Sequence, residues 1–348
     1  MILDYAVAVL LWLSIITYAT LGGADFGGGI WQMFAFGSGK QAKEEREIIT
    51  QAIGPVWEAN NVWLVYLVVG LFTAFPIVAG TLAISLFIPF SLALIGVVLR
   101  GAAFAFEESI PQSVDVHAAF GRVFSAASII APFLLGTCAA AVASGQLRPA
   151  NGRIPVAVFS AWLTPFAIIV GLMGLGICAT LAAVYLTVEA ERQEQPALIE
   201  AFRIRALIAG GVTAVLAAIT LGLSPFEAPV IWHGMLDEGL WAIALTMAIG
   251  LATAAALFFR RFRLARVLVQ METAGIIGTW GISQLPYIVP PDLTITGAAS
   301  PYPTMQAFFI AALVGMVILL PSIWLLLHVF KVEEKPPPVH EKGLEKAT

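Results

Sequence analysis

Leu21-Gly-Gly-Ala-Asp-Phe-Gly-Gly-Gly29 lies toward the far end of the first long apolar run, and Gly54-Pro-Val-Trp-Glu-Ala-Asn-Asn-Val-Trp63 opens the second. Each stretch sets a carboxylate, Asp25 or Glu58, among residues that otherwise read as membrane helix. A carboxylate at the centre of a span costs roughly 2.5–3.5 kcal/mol even on the lenient insertion scale. Two such acids, each beside close-packing glycines or polar amides, point to a proton or ion path and not to a bare scaffold.

The surrounding chain is apolar throughout. Of 348 residues 59% are hydrophobic and only 11% charged, where a soluble domain carries about 25% charged residues. That composition specifies an all-α integral membrane protein. The net charge of −4 is small and its sites are scattered, so there is no basic face for nucleic acid. The first apolar run outlasts a signal-peptide core, and no small-residue cleavage site follows it, so no signal peptide is expected.

A helical span needs roughly 20 apolar residues. Nine windows qualify: 6–35, 57–75, 77–104, 119–143, 156–187, 204–223, 238–258, 264–289 and 304–330, with a tight turn at Phe75-Pro76 between the second and third. The expected architecture is nine transmembrane helices, arranged as two four-helix bundles plus one peripheral helix. Residues 1–331 then form one transmembrane domain. The tail 332–348, with Pro336-Pro-Pro338 and mixed charges, reads as disordered.

Orientation follows from the basic residues. With nine spans, Lys40, Lys43 and Arg46, the arginines after spans 3, 5 and 7, and the tail lysines all fall on one side. Of 18 basic residues only Arg148 and Arg153 fall on the other. The N-terminus is therefore expected outside and the C-terminus in the cytoplasm. Cys138 and Cys178 differ in expected depth by roughly 25 Å at ~1.5 Å per residue, too far to bridge, and read as small buried apolar residues.

Asp25 lies about 20 residues into span 1, roughly 30 Å from its outer start and in the inner third of the bilayer. Gly23 and Gly27 form a small-xxx-small pair that admits a neighbouring helix. Asp25 is then either a proton-carrying carboxylate or a buried acid paired with an arginine such as Arg100. Glu58 has two readings as well. If Pro55 starts the helix, Glu58 sits in the first turn, where a carboxylate suits the dipole. If the helix starts earlier, near Glu47, Glu58 is inside the membrane, with Asn60 and Asn61 able to hold water. Glu272 is a third intramembrane acid beside Gln270 and Thr273, serving either function or helix packing. Glu107 and Glu108 read as an inner-surface loop. His117, His233, His328 and His340 fall in loops, near helix ends or in the tail, so no buried histidine pair for an axial haem site and no H-E-x-x-H spacing is found.

Three motifs in this order and spacing carry a resemblance: Gly23-Ala-Asp-Phe-Gly-Gly-Gly29, Gly54-Pro-Val-Trp-Glu-Ala-Asn-Asn-Val-Trp63 and Arg100-Gly-Ala-Ala-Phe-Ala-Phe-Glu107. Together with the nine-span outline, they make the chain similar to subunit II of the cytochrome bd quinol oxidases. The resemblance implies a subunit of a bacterial respiratory terminal oxidase in the cytoplasmic membrane, which passes electrons from quinol to dioxygen. It implies a homologous partner, subunit I, carrying haems b558, b595 and d and the quinol-oxidising loop, while subunit II ligates no haem. Some members hold a structural quinone in this subunit, and small single-span accessory subunits are compatible with it. The resemblance places Glu58 at the entrance of a proton path from the cytoplasm and Asp25 in the same polar region, with Trp57, Asn60, Asn61, Arg100 and Glu107 in support. Some members have Asp where Glu58 stands, a difference of one methylene. The rival is a secondary transporter, which also uses broken glycine-rich helices and midplane acids. Transporters usually repeat such a segment in both halves, and the glycine–acid motif here has no clear second copy.

Overall fold

The computed structural model describes residues 1–35, 39–109, 115–147 and 161–333. Within those helices the side chains of residues 41, 53–59, 107–109, 115–118, 323–324 and 326–333 lie outside the description. Prolines set several helix starts, because Pro has no N–H to lose in a first turn and disfavours helix in the residue before it. They open α3 (Pro76–Ser85), α6 (Pro165–Arg192), α7 (Pro196–Glu227) and α8 (Pro229–Gly234). At α6 the Thr164 hydroxyl adds a cap, accepting the Ala167 N–H at 3.0 Å. Phe75 takes φ −135° and ψ 62°, which ends α2 (Lys40–Ala74), and the chain turns by 116° into α3 as the sequence leads one to expect.

The remaining helices are α1 (Ile2–Phe34), α4 (Phe87–Ser109), α5 (Asp115–Ala143), α9 (Leu240–Phe258), α10 (Phe262–Gln284) and α11 (Tyr302–Glu333). A π-helical turn, Met235–Gly239, joins α8 to α9. The loop between α10 and α11 holds a two-stranded antiparallel hairpin, β1 (Tyr287–Val289) and β2 (Leu293–Thr294).

Among the described residues seven helices are long and apolar enough to cross a membrane, or eight if the bent pair Asn60–Ala74 and α3 is one span. α10, which carries Arg263, Arg266 and Glu272, is outside that set. Several window edges also differ from the sequence expectation. The window 77–104 is not one helix but breaks at Leu86 into α3 and α4. The window 264–289 stops at Gln284, because Pro286 keeps Leu285 extended at ψ 142°, and its last three residues form β1. The fifth window starts as helix only at Pro165, and its part before residue 161 lies outside the described residues. α4 continues as helix through Glu107 and Glu108, where a loop was expected.

α2 starts at Lys40, seventeen residues before its hydropathy window at 57. The extra turns are charged yet helical for an identifiable reason. Lys40 and Glu44 pair at 3.7 Å one turn apart, and buried Glu45 pairs with Arg205 of α7 at 2.9 Å. Arg205 also lies over the rings of Trp31 and Phe202 at 5.6 and 5.1 Å. Pro55 is thus interior to α2, and Glu58 is not in a first turn.

α1 and α6 form the centre. α1 packs on α2, α5, α6, α10 and α11, and α6 on α1, α2, α5, α7 and α10. At the end where α1 finishes, Ile48, Ile49, Phe124, Leu186, Leu198 and Phe202 form an apolar plug. At the other end Phe75, Trp162, Val289, Ile295 and Met305 form a second one. Ser300 ties the α10–α11 loop to that end, its N–H donating to the Ala74 carbonyl at 2.8 Å and its hydroxyl to the Thr73 carbonyl at 2.8 Å.

Candidate functional site

Tyr18, Gly22, Asp25 and Gly29 recur at intervals of four and three residues and so share one face of α1. The glycines let that face meet its neighbours at backbone distance. A Cβ on Gly22 would overlap the Asn60 side-chain amide of α2, one on Gly29 would overlap Ser128 of α5, and one on Gly27 would overlap the Cys178 carbonyl of α6. Gly23, the other half of the small-xxx-small pair, also faces α6, with Leu181 Cδ1 2.8 Å from the position of its Cβ.

Asp25 is held at this junction by Arg100 of α4. One guanidinium nitrogen of Arg100 donates both to the Asp25 carboxylate and, at 3.1 Å, to the Asp25 backbone carbonyl. Its Nε donates to Ser128 Oγ at 3.1 Å. The guanidinium is sandwiched between the rings of Phe26 and Phe124, 5.0 and 4.8 Å from their centroids. Both ends of the pair are 2% exposed, so neither charge is solvated and each depends on the other. The Ser128 partner sits four residues before Pro132, which has no N–H to give the Ser128 carbonyl.

Asn60 is 3% exposed, and its Oδ1 has no hydrogen-bond partner among the described residues. Tyr18 Oη, Trp63 Nε1 and Ser125 Oγ are buried and unpartnered in the same sense. Beside Asp25, a cavity of about 20 Å³ is lined by residues of α1, α2 and α6, among them Ala52, Ala182 and Tyr185. That is room for about one water by the ~10–15 Å³ minimum. None of the four unpartnered groups lines that space; buried polar groups without a protein partner are where ordered water is found.

Of the residues singled out from sequence, the fold brings Asp25, Arg100 and Asn60 to one place. Asn61 follows on α2 and is half-buried. Glu58 and Trp57 lie on α2 between Ala52 and Asn60 and Glu107 lies on α4, but their side chains are outside the described residues. Glu272 is elsewhere: half-buried on α10, it lies against Gly250 and Thr253 of α9. Cys138 and Cys178 are both buried and free. His233 is exposed, its Nδ1 2.6 Å from the Pro229 carbonyl. Among the described residues no group of three or more His, Cys, Asp or Glu is placed to hold a metal ion. Sequence reading missed Ser128, Phe124 and Tyr185, and took Gln270 only as a polar neighbour of Glu272. A serine or tyrosine in an apolar helix looks like core, and only Pro132 beside Ser128 hinted at a disturbed backbone.

The family described as cytochrome bd terminal oxidase subunit II matches residues 3–330. The chain belongs to that family. This subunit II is 25% identical over 344 residues to a Bacillus subtilis (strain 168) chain provisionally named cytochrome bd menaquinol oxidase subunit II, covering 95% of this chain and 97% of that one. It is 23% identical over 361 residues to the cytochrome bd-I ubiquinol oxidase subunit 2 of Escherichia coli (strain K12), covering 92% and 94%. The bd oxidase structure from Geobacillus thermodenitrificans has the same fold, with TM-score 0.76 and 22% identity over 96% of this chain and 100% of the other. Subunit II chains of this family are parts of a quinol oxidase, an oxidoreductase complex of the membrane. Family membership sets the transporter reading aside.

Proposed function

We propose that this subunit II pairs with a haem-bearing subunit I in the bacterial cytoplasmic membrane, and that the two oxidise quinol and reduce dioxygen to water. Haems b558, b595 and d and the quinol-oxidising loop belong to the partner in this reading. When bound there, the haems supply the electron transfer and oxygen chemistry. The family match across residues 3–330 carries the proposal. The relatives named for menaquinol and ubiquinol support a quinol as electron donor.

This chain's own contribution is placement of polar groups in the membrane interior. In the proposed topology the chain crosses nine times, by the seven apolar helices together with α2 and α10. The first four crossings make one bundle, the next four a second, and α11 lies outside them against α2 and α1. The N-terminus is outside and the C-terminus cytoplasmic. Asp25 and Glu58 then lie in the cytoplasmic half. Glu58 takes up protons from the cytoplasm, and Asp25, held by Arg100, keeps a charged, hydrated spot next to it. Trp57, Asn60, Asn61 and Glu107 flank this route. Protons consumed from the cytoplasm while quinol releases its own outside charge the membrane without a pump.

The test is a reduced-minus-oxidised visible spectrum of the complex that co-purifies with this chain from its native membrane, with quinol-driven oxygen uptake on the same sample. Haem b and d bands with oxygen uptake are expected. A chain that purifies alone, colourless and inactive, under conditions that preserve membrane complexes contradicts the proposal.

A further inference from the structure

The cavity beside Asp25 has a second wall that the Glu58 route does not use. Tyr185 of α6 lines it together with Asp25. The Gln270 side-chain amide of α10 donates to the Tyr185 phenol oxygen. The Arg266 guanidinium lies over the Tyr185 ring, 4.5 Å from its centroid. Tyr185, Gln270 and Arg266 are each half-buried, so this cluster reaches from the core to the outside of the bundle. It is also near an aqueous end. Exposed Arg260, Arg261 and Arg263 mark the α9–α10 turn, and at ~1.5 Å per residue Gln270 is about 13 Å from Arg261, less than half of a hydrocarbon core of ~30 Å.

A phenol both donates and accepts. The Gln270 N–H occupies an acceptor position on the α10 side, which leaves the Tyr185 O–H free to donate to another acceptor. The Arg266 cation over the ring and the Gln270 bond together hold the phenol in place beside the cavity. We propose that the Asp25 cavity holds a water which exchanges protons with the cytoplasmic surface through Tyr185, an entrance on the α6–α10 side separate from Glu58. Tyr185 releases its proton to the cavity water, which passes one on toward Asp25. The phenol regains one from water on the Arg266 side, so its own proton count is unchanged. The inference rests on the proton-route reading above and adds a branch to it.

The test uses the intact two-subunit oxidase in proteoliposomes with four forms of this chain: unsubstituted, Tyr185→Phe, Glu58→Gln and the double variant. Oxygen uptake per haem is measured in H2O and D2O. Two parallel entrances predict a modest loss for Tyr185→Phe alone, about twofold, and a loss in the double variant at least about tenfold beyond Glu58→Gln, the non-additivity expected of routes that back each other up. The solvent isotope effect of Glu58→Gln should also change when Tyr185 is replaced, which a purely packing role of the ring would not cause. If Glu58→Gln is slowed and the double variant matches it in rate and isotope effect, the branch is overturned while the Glu58 route stands. If Glu58→Gln keeps full turnover but Tyr185→Phe is slow, the Glu58 reading falls and the branch stands as the route. If even the double variant keeps full turnover, both fall.

Discussion

Arg100 on α4 uses one guanidinium nitrogen to bind both the carboxylate and the backbone carbonyl of Asp25 on α1. It thereby locks two helices together at a point where neither charge reaches solvent. The same contact makes Asp25 a packing anchor and fixes a carboxylate that borders the cavity between α1, α2 and α6. Of the two sequence readings of Asp25, the arginine partner is found, and the proton carrier is for mutations to test.

Asp25→Asn and Arg100→Leu each leave a buried partner unmatched. Each is expected to cost about 3–5 kcal/mol, the penalty for breaking one side of a buried pair. The double variant should recover most of that stability. Thermal unfolding of the purified complex measures this. If the double variant is stable yet slow in oxygen uptake, Asp25 acts in turnover as well as packing. If it is stable and fast, Asp25 is an anchor alone.

Gly27→Ala and Gly23→Ala separate backbone contact from side-chain contact on the same helix. At Gly27 the added methyl meets the Cys178 carbonyl, which cannot rotate away, so overpacking of about 1–3 kcal/mol and poor assembly are expected. At Gly23 it meets the end of the Leu181 side chain at 2.8 Å, which can turn aside. Gly211, with nothing within 4 Å of its Cβ position, is the control. Gly211→Ala should raise stability by about 0.5–1 kcal/mol through helix propensity.

Asn60→Ala removes a buried amide whose oxygen has no protein partner among the described residues. Little stability should be lost, about 1 kcal/mol or less, since no complete hydrogen bond is broken there. A several-fold fall in oxygen uptake at normal haem content is expected if the amide holds water on the route. Equal losses of stability and rate would make it a packing residue.

The parts of the fold visible in the sequence were those written in hydropathy and proline. The turn at Phe75-Pro76 and the close approach permitted by Gly23 and Gly27 both follow from residue type, and both are found. A start of α2 before Pro55, near Glu47, was one of two readings, but its extension back to Lys40 was not visible, because Lys40–Glu47 reads as a solvated connection unless Arg205, 160 positions away, is known to face Glu45. The end of the 264–289 window failed for the opposite reason. Tyr287-Ile-Val289 is apolar enough for a span, yet it pairs as a strand once Pro286 has ended the helix. At the site, Asp25 and Arg100 stood out as charges in apolar helices. Tyr185 and Gln270 did not, because an uncharged polar residue in a span gains meaning only from what the fold sets against it.

The central claim is that this subunit delivers protons from the cytoplasm through Glu58. Its most direct test is quinol-driven oxygen uptake, normalised to haem, of the intact oxidase carrying Glu58→Gln. Loss of a positioned proton-transfer group typically costs about 10²–10⁴-fold, and a parallel entrance would soften that. The account predicts slowed uptake with unchanged haem content. Full turnover in that variant would contradict it and remove Glu58 from the proton route.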